Sequence, residues 1–301
     1  MEKEQKLVNK VKRLLRKLGI PRWLHRFGPK KYEFLHHAIA YIVKQECKLG
    51  YRRVTRLLRG LGHKCPCHSA LCTSFNKIPL HLWQSLLAAT SGSKINLAAI
   101  DASGMSRPLP SPYYYRRIDK PYPVEIPLKI SLAVDTRTKK ILALRLRSKN
   151  AHDIRDFKYL IRRLPHKPNK IVADKGYDAN WVHKLCYSLS ILAVIPARDY
   201  GSKKISRYNT KYRKRGTRLF KKRVYHRREI IESVFSAFKR KFGASVSSAK
   251  FSAQRAEIYC RAIAHNIFYF VLDFLNGASS IEKYLFEVGW TLYPMVVLWA
   301  M

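Results

Sequence analysis

The sequence predicts a mixed α/β sheet flanked by helices and preceded by an all-helical region. Three observations carry this: five short apolar runs with strand character between residues 96 and 196, helical periodicity between and after them, and a purely helical, basic pattern up to about residue 90.

In order, Leu7, Val11, Leu14, Leu15 and Leu18 recur at helical spacing, and residues 32–48 are again periodic. From Tyr51, the residues Val54, Leu57, Leu58 and Leu61 share one side of a short helix that Gly62 stops. A turn through Cys65, Pro66 and Cys67 leads to helical runs over 68–78 and 79–89. Short helices around a tight turn, with arginines on their exposed faces, predict a helix-turn-helix-like DNA-binding region over residues 1–90. A helical dimerisation module is the other reading. Cys65, Cys67, Cys72, His63 and His68 have zinc-ligand chemistry, but the Cys-x-Cys gap is tighter than zinc sites use, so they read as turn and core thiols.

The first strand is expected over 96–100. Strands over 128–134 and 141–146 form a hairpin around the turn residues Asp135 to Lys140. Phe157, Leu160, Ile161 and Leu164 mark a helix over 153–164, followed by a strand at 170–173, a helix at 179–189 and a strand at 191–196. Residues 198–227 read as a basic loop, and 256–275 as an apolar closing helix. The region 91–275 thus reads as one domain of catalytic size, and 276–301 as a tail without an assigned role. The apolar run at 288–301 is broken by Gly289 and Pro294 and is shorter than the roughly 20 residues that span a bilayer.

Bulk charge points to a polyanion. The chain has 301 residues, 60 Lys and Arg against 19 Asp and Glu, a net charge of +41 and a pI near 10.3. Such a surplus serves to neutralise phosphates and release their counterions, although an anionic membrane surface could also use it. With 47% hydrophobic and 12% aromatic residues the chain buries a core, which excludes a disordered basic tail. The charged start lacks the apolar core of a secretory signal, and six cysteines read as reduced thiols. The expected location is cytoplasmic and nucleoid-associated, with no membrane partner.

Tyr225, Arg228, Glu232 and Lys239 are spaced to lie on one edge of a helix, beside an apolar stripe of Ile231, Val234, Phe235, Phe238 and Phe242. Upstream, Asp101 and Asp174 each end a short apolar strand, where sites are commonly built. Three carboxylates suit phosphodiester chemistry assisted by two hard divalent ions, Mg²⁺ or Mn²⁺, about 4 Å apart. Other acids have structural readings: Asp178 as a helix cap, Asp135 as a turn former and Asp153 as a helix start, with His152 as local structure. Cations crowd 198–227, among them Lys203, Lys204, Arg213, Lys214, Arg215, Lys221, Lys222 and Arg223, with Tyr200, Tyr208, Tyr212 and Phe220 between them. Such a mixture tracks phosphates and stacks on unpaired bases. A second aromatic and basic cluster runs from Tyr113 to Arg117.

With Asp-Ala-Ser-Gly at Asp101, Ala-Asp-Lys-Gly-Tyr-Asp at Asp174, and the Tyr225, Arg228, Glu232, Lys239 series, the chain resembles a DDE transposase of a prokaryotic insertion sequence. The last series matches the branch with the Y-(2)-R-(3)-E-(6)-K motif. The resemblance implies an RNase H-like catalytic fold, with Asp101, Asp174 and Glu232 as catalytic ligands of two Mg²⁺ or Mn²⁺ ions. Tyr225, Arg228 and Lys239 are then DNA contacts. The implied substrate is double-stranded DNA, both terminal inverted repeats and target; a homodimer would cut the ends and join the 3′-OH to the target. An RNase H-like nuclease that cuts without joining, or an inactive DNA-binding relic, are the rival expectations.

Overall fold

The computed structural model describes residues 30–92, 94–108, 111–121, 127–149, 151–198 and 210–276, with scattered positions before residue 30 and side chains as far as Ile267. Leu7, Leu14, Leu15 and Leu18, the basic residues Lys203 and Lys204 with Tyr200 and Tyr208, and the tail from residue 277 lie outside the described residues. Among the described residues from 30 onward, four helices precede the sheet: α1 (Phe34–Glu46), α2 (Tyr51–Gly60), α3 (His68–Phe75) and α4 (Leu80–Thr90). Then come β1 (Leu97–Met105), α5 (Pro112–Arg117), β2 (Leu128–Asp135), β3 (Ile141–Arg147), α6 (Ile154–Arg163), β4 (Lys170–Ala173), α7 (Asn180–Ser188) and β5 (Leu192–Val194). The chain continues through α8 (Lys211–Arg218), α9 (Lys222–Tyr225), α10 (Glu229–Phe242) and α11 (Phe251–Asn276).

The strands lie in the order β3-β2-β1-β4-β5. The first three are antiparallel neighbours, whereas β4 and β5 run parallel to β1. Hairpin neighbours pair directly, and the parallel members require the crossover helices α6 and α7. This mixed sheet with helices on both faces is consistent with the RNase H-like fold that the resemblance implies. Side chains alternate across it. Ala98, Ile100, Ala133 and Leu142 meet Phe157 and Leu160 of α6 and Val182 and Cys186 of α7. On the other face, Ala99, Leu132, Val134, Leu144 and Val172 meet the apolar stripes of α10 and α11. The five stripe residues of α10, Ile231, Val234, Phe235, Phe238 and Phe242, are all buried, each contributing on the order of 1.5–3 kcal/mol.

Helices α1 and α4 are built into that second layer, packing on α11 within one continuous core. Tyr41 joins the packing through ring contacts to Phe75 at 4.7 Å and Trp83 at 6.2 Å, while its hydroxyl donates to the Leu71 carbonyl at 2.8 Å. The core therefore continues across residue 90. Gly62, at φ 73°, makes the turn out of α2 that a side chain would strain. Arg52, Arg53, Arg56 and Arg59 stay exposed on α2, Cys65 is buried, and Cys67 and Cys72 are exposed.

Three expectations change. β1 does not end at Ile100: β2 supplies antiparallel partners as far as Met105, although the apolar run stops earlier. The segment expected as a basic loop is helical from Lys211, because α8 packs against α7. Tyr212 lies against Tyr187 at 5.4 Å, and Gly216 sits so close to His183 that a Cβ there would overlap the imidazole ring. Asp178 does not cap α7. It is buried and accepts from Arg213, from His183 Nε2 at 3.1 Å and from the Arg198 backbone N–H at 2.8 Å. Burial alone would raise its carboxyl, but these bonds outweigh it and hold the group well below the ordinary carboxylate range.

Asp135 makes the turn expected of it, accepting from the N–H groups of Arg137 and Thr138 at 3.2 Å each. The edge strand β3 is covered by α11: Tyr259 donates to the Leu144 carbonyl at 3.0 Å, and Asn266 bonds both backbone groups of Ile141 at 2.7 Å. Beside them, buried His265 meets the Lys139 carbonyl at 3.1 Å. Burial holds its imidazole down at about 4, opposed by that carbonyl and reinforced by Lys241. Above about pH 6.5 the folded and unfolded forms are both neutral here, and the native packing keeps its full stability. As the pH falls toward 4 only the unfolded chain takes the proton, so about 3 kcal/mol should be lost across that window. Unfolding free energies at pH 7 and pH 4 test this, and His265→Gln should flatten the difference.

Candidate active site

Strand alternation aims the acids. Asp101 and Ser103 have the parity of Ala99, which faces α10, and Asp174 has the parity of Val172 on β4. The last parallel pair is Ile100 with Ala173, so Asp101 and Asp174 follow side by side where β1 and β4 diverge. Asp101 lies within β1, not at its end, and its backbone stays paired to Leu132 of β2. Asp174 is extended and accepts from the Lys175 N–H at 2.7 Å, which opens a 3-10 turn.

The helix that carries Glu232 is not continuous from Tyr225. A 3-10 turn, His226–Arg228, separates α9 from α10 and places Arg228 at the N-cap and Glu232 in the first turn of α10. Arg228 nevertheless joins the acids. Its Nη1 donates to Asp101 Oδ2 at 3.1 Å and its Nη2 to Glu232 Oε1 at 2.5 Å. One guanidinium thus spans a strand acid and a helix acid. Further along α10, Lys239 Nζ donates to Ser103 Oγ at 2.8 Å, so helix and strand touch at two points. Tyr225 is half-buried, with its ring against Phe220 at 5.6 Å.

A strap fixes this alignment. At φ 91°, Gly243 turns the chain out of α10, a conformation that glycine adopts without strain. The following residues pair with Ser106 just beyond β1: Ser106 donates to Ala244 at 3.0 Å and Val246 donates to Ser106 at 3.1 Å. From α11, Glu257 accepts from the N–H groups of Ser247 and Ser248, both at 3.0 Å, and Arg261 donates to the Ser245 carbonyl at 2.9 Å.

Asp101 is raised above the ordinary carboxylate value, chiefly by burial. The Ala102 N–H and Arg228 oppose the rise, while Asp174 and Asp153 add like charge to it. A cation on this pair relieves that excess. Glu232 is at the rim, its side chain 55% exposed. Asp153, expected only as a helix start, makes no cap bond and instead pairs with Lys129 of β2. No local pattern announces its nearness to Asp101, which arises across the sheet.

Of the basic residues, Lys214, Arg215, Lys221, Lys222 and Arg223 are exposed, with Arg215 over the Tyr187 ring at 4.7 Å. Arg213 differs from its expected role: its guanidinium turns inward onto Asp178 at 2.9 Å, and its side chain is only 12% exposed. On α5, Tyr113 and Tyr114 are exposed. Among the described residues no helix is long and apolar enough to cross a membrane, and no three His, Cys, Asp or Glu side chains are gathered as a metal cage.

A family model described as "Transposase DDE domain" matches residues 92–267, more than half of the chain. The match spans the whole sheet, α10 and the described core of α11. The chain belongs to the DDE transposase family.

Proposed function

We propose that this transposase is of the Y-(2)-R-(3)-E-(6)-K branch, that it binds the terminal inverted repeats of a mobile element, cleaves them by metal-dependent phosphodiester hydrolysis and joins the freed 3′-OH to target DNA. The observation that carries the reading is the Arg228 fork between Asp101 and Glu232, because it brings acids of a strand and a helix onto one cation. Asp174, which follows β4 where it diverges from β1, is the third acid of the proposed set.

The donors fit Mg²⁺ or Mn²⁺, since all three are hard carboxylate oxygens and Asp101 already pairs with a cation. Asp101, Asp174 and Glu232 would hold the ions. Ions so held supply Lewis acidity at the phosphate and sharpen an oxygen nucleophile at neutral pH. Lys239, anchored on Ser103, offers its ammonium to a phosphate next to the acids, and Tyr225 positions the backbone nearby. Lys214, Arg215, Lys221, Lys222 and Arg223 extend the cationic track, to which the sequence adds Lys203 and Lys204. Arg213 supports the track from beneath through Asp178. The exposed arginines of α2 suit the helical region 1–90 to phosphate contact. Two ends must be cut in concert, which a homodimer provides, and a nucleoid-associated cytoplasmic location follows from the substrate.

The test is DNA carrying inverted repeats, incubated with the protein and Mg²⁺ or with EDTA. Cleavage at the repeat ends and joined products should appear only with the metal. Binding to the repeats should weaken at least tenfold between 50 and 200 mM salt, as expected when several phosphates are neutralised. Cleavage without joining would identify a nuclease instead, and a flat salt response would remove the role given to the basic track.

A further inference from the structure

We infer that Arg228 and a divalent ion are alternative occupants of the Asp101 and Glu232 pair, so that Arg228 sets the metal affinity of the site and couples it to DNA. The inference rests on the reading of those two acids as metal ligands. Arg228 reaches them with separate nitrogens, at 3.1 Å to Asp101 Oδ2 and 2.5 Å to Glu232 Oε1. The planar fork neutralises both carboxylates at once, as a single metal ion between them would.

Both oxygens of Asp101 are engaged while this contact stands. Its second oxygen, Oδ1, accepts the Ala102 N–H at 2.8 Å. An ion between Asp101 Oδ2 and Glu232 Oε1 therefore competes with Arg228 for the same two oxygens, and the guanidinium charge opposes a second cation at close range. The displaced guanidinium needs a new anion. Arg228 sits at the 3-10 turn just outside α10, one residue after exposed Arg227 and its side chain 21% exposed, so a phosphate arriving over this basic surface is within the reach of its fork. A phosphate that draws Arg228 away frees the acids for metal, and metal that expels Arg228 makes it available to phosphate. Each ligand thus favours the other, and the coupling is the same in both directions.

The experiment measures Mn²⁺ binding to the full chain by electron paramagnetic resonance of the free ion, with and without a short DNA duplex. Without DNA, Arg228→Gln should bind Mn²⁺ roughly tenfold more tightly than the parent, the size expected for losing one charge-assisted competitor. Arg228→Lys, which keeps the charge without the fork, should fall between them. Duplex DNA should raise the Mn²⁺ affinity of the parent and change that of Arg228→Gln much less. Melting curves establish that each variant is folded, and Arg228→Lys decides the matter if Arg228→Gln is not. Unchanged or weaker Mn²⁺ binding in the folded variants would overturn the inference. Mn²⁺ binding that survives both Asp101→Asn and Glu232→Gln would instead overturn the metal-ligand reading itself, and this inference with it.

Discussion

Asp101→Asn and Glu232→Gln are each expected to abolish Mg²⁺-dependent cleavage and joining together, by on the order of 10³-fold or more, while DNA binding persists. The magnitude follows from what metal assistance supplies, several kcal/mol of transition-state stabilisation, with each 1.4 kcal/mol worth a factor of ten. Both substitutions preserve size and remove one negative charge, so they separate ligand chemistry from packing. Asp101→Asn retains an oxygen for the Ala102 N–H but weakens the pairing with Arg228. Glu232 is at the rim, and Glu232→Gln should leave the melting temperature within a few degrees of the parent. Gel-based cleavage assays alongside binding isotherms decide the matter. Full activity in either variant would mean that the acids brought to Arg228 are not the reacting centre.

The second large effect concerns stability. Glu257→Ala should destabilise the protein by about 3–5 kcal/mol, because it leaves Arg261 buried without its counter-charge. Both side chains are nearly inaccessible, at 1% and 6% exposure, and Arg261 Nη2 donates to Glu257 at 2.5 Å. Burial alone would raise the Glu257 carboxyl, but Arg261 and the donors of Ser247 and Ser248 outweigh it and hold the group below its ordinary value. Glu257→Gln, which keeps an acceptor for the strap, should cost less. The loss should appear as a lower midpoint in urea. Since the strap sets α10 against β1, cleavage should fall as well, even in conditions where the variant remains folded. A variant that unfolds with the parent would leave the strap without this function.

Much of the site was legible because local rules generate it. The apolar runs before Asp101 and Asp174 read as strands, and both acids stand where the parallel pairing ends. The stripe from Ile231 to Phe242 read as a buried helix face and is one. Where the reading failed, local pattern and tertiary context disagree. β1 continues past its apolar run because β2 satisfies its backbone. The Lys- and Arg-rich sequence of α8 conceals a helix whose packing depends on Gly216 and Tyr212 meeting α7. Asp178 follows a motif and precedes a helix, which suggests a cap; its partner Arg213 lies 35 residues away. Spacing alone placed Tyr225 and Arg228 on the same helix as Glu232, whereas the chain tightens into a 3-10 turn between them.

The sequence by itself determined that this protein has a sheet with an acid after each of two apolar runs, a helix presenting Glu232, and a cation surplus suited to DNA. Each follows from properties of short segments, namely alternation, period and charge. Only the tertiary structure decided that Arg228 spans Asp101 and Glu232, that Lys239 rests on Ser103, and that Arg213 faces Asp178. Those contacts depend on how α10 is set along β1 and α8 along α7, and such offsets are fixed by packing and by the strap held on Glu257. No single segment encodes them.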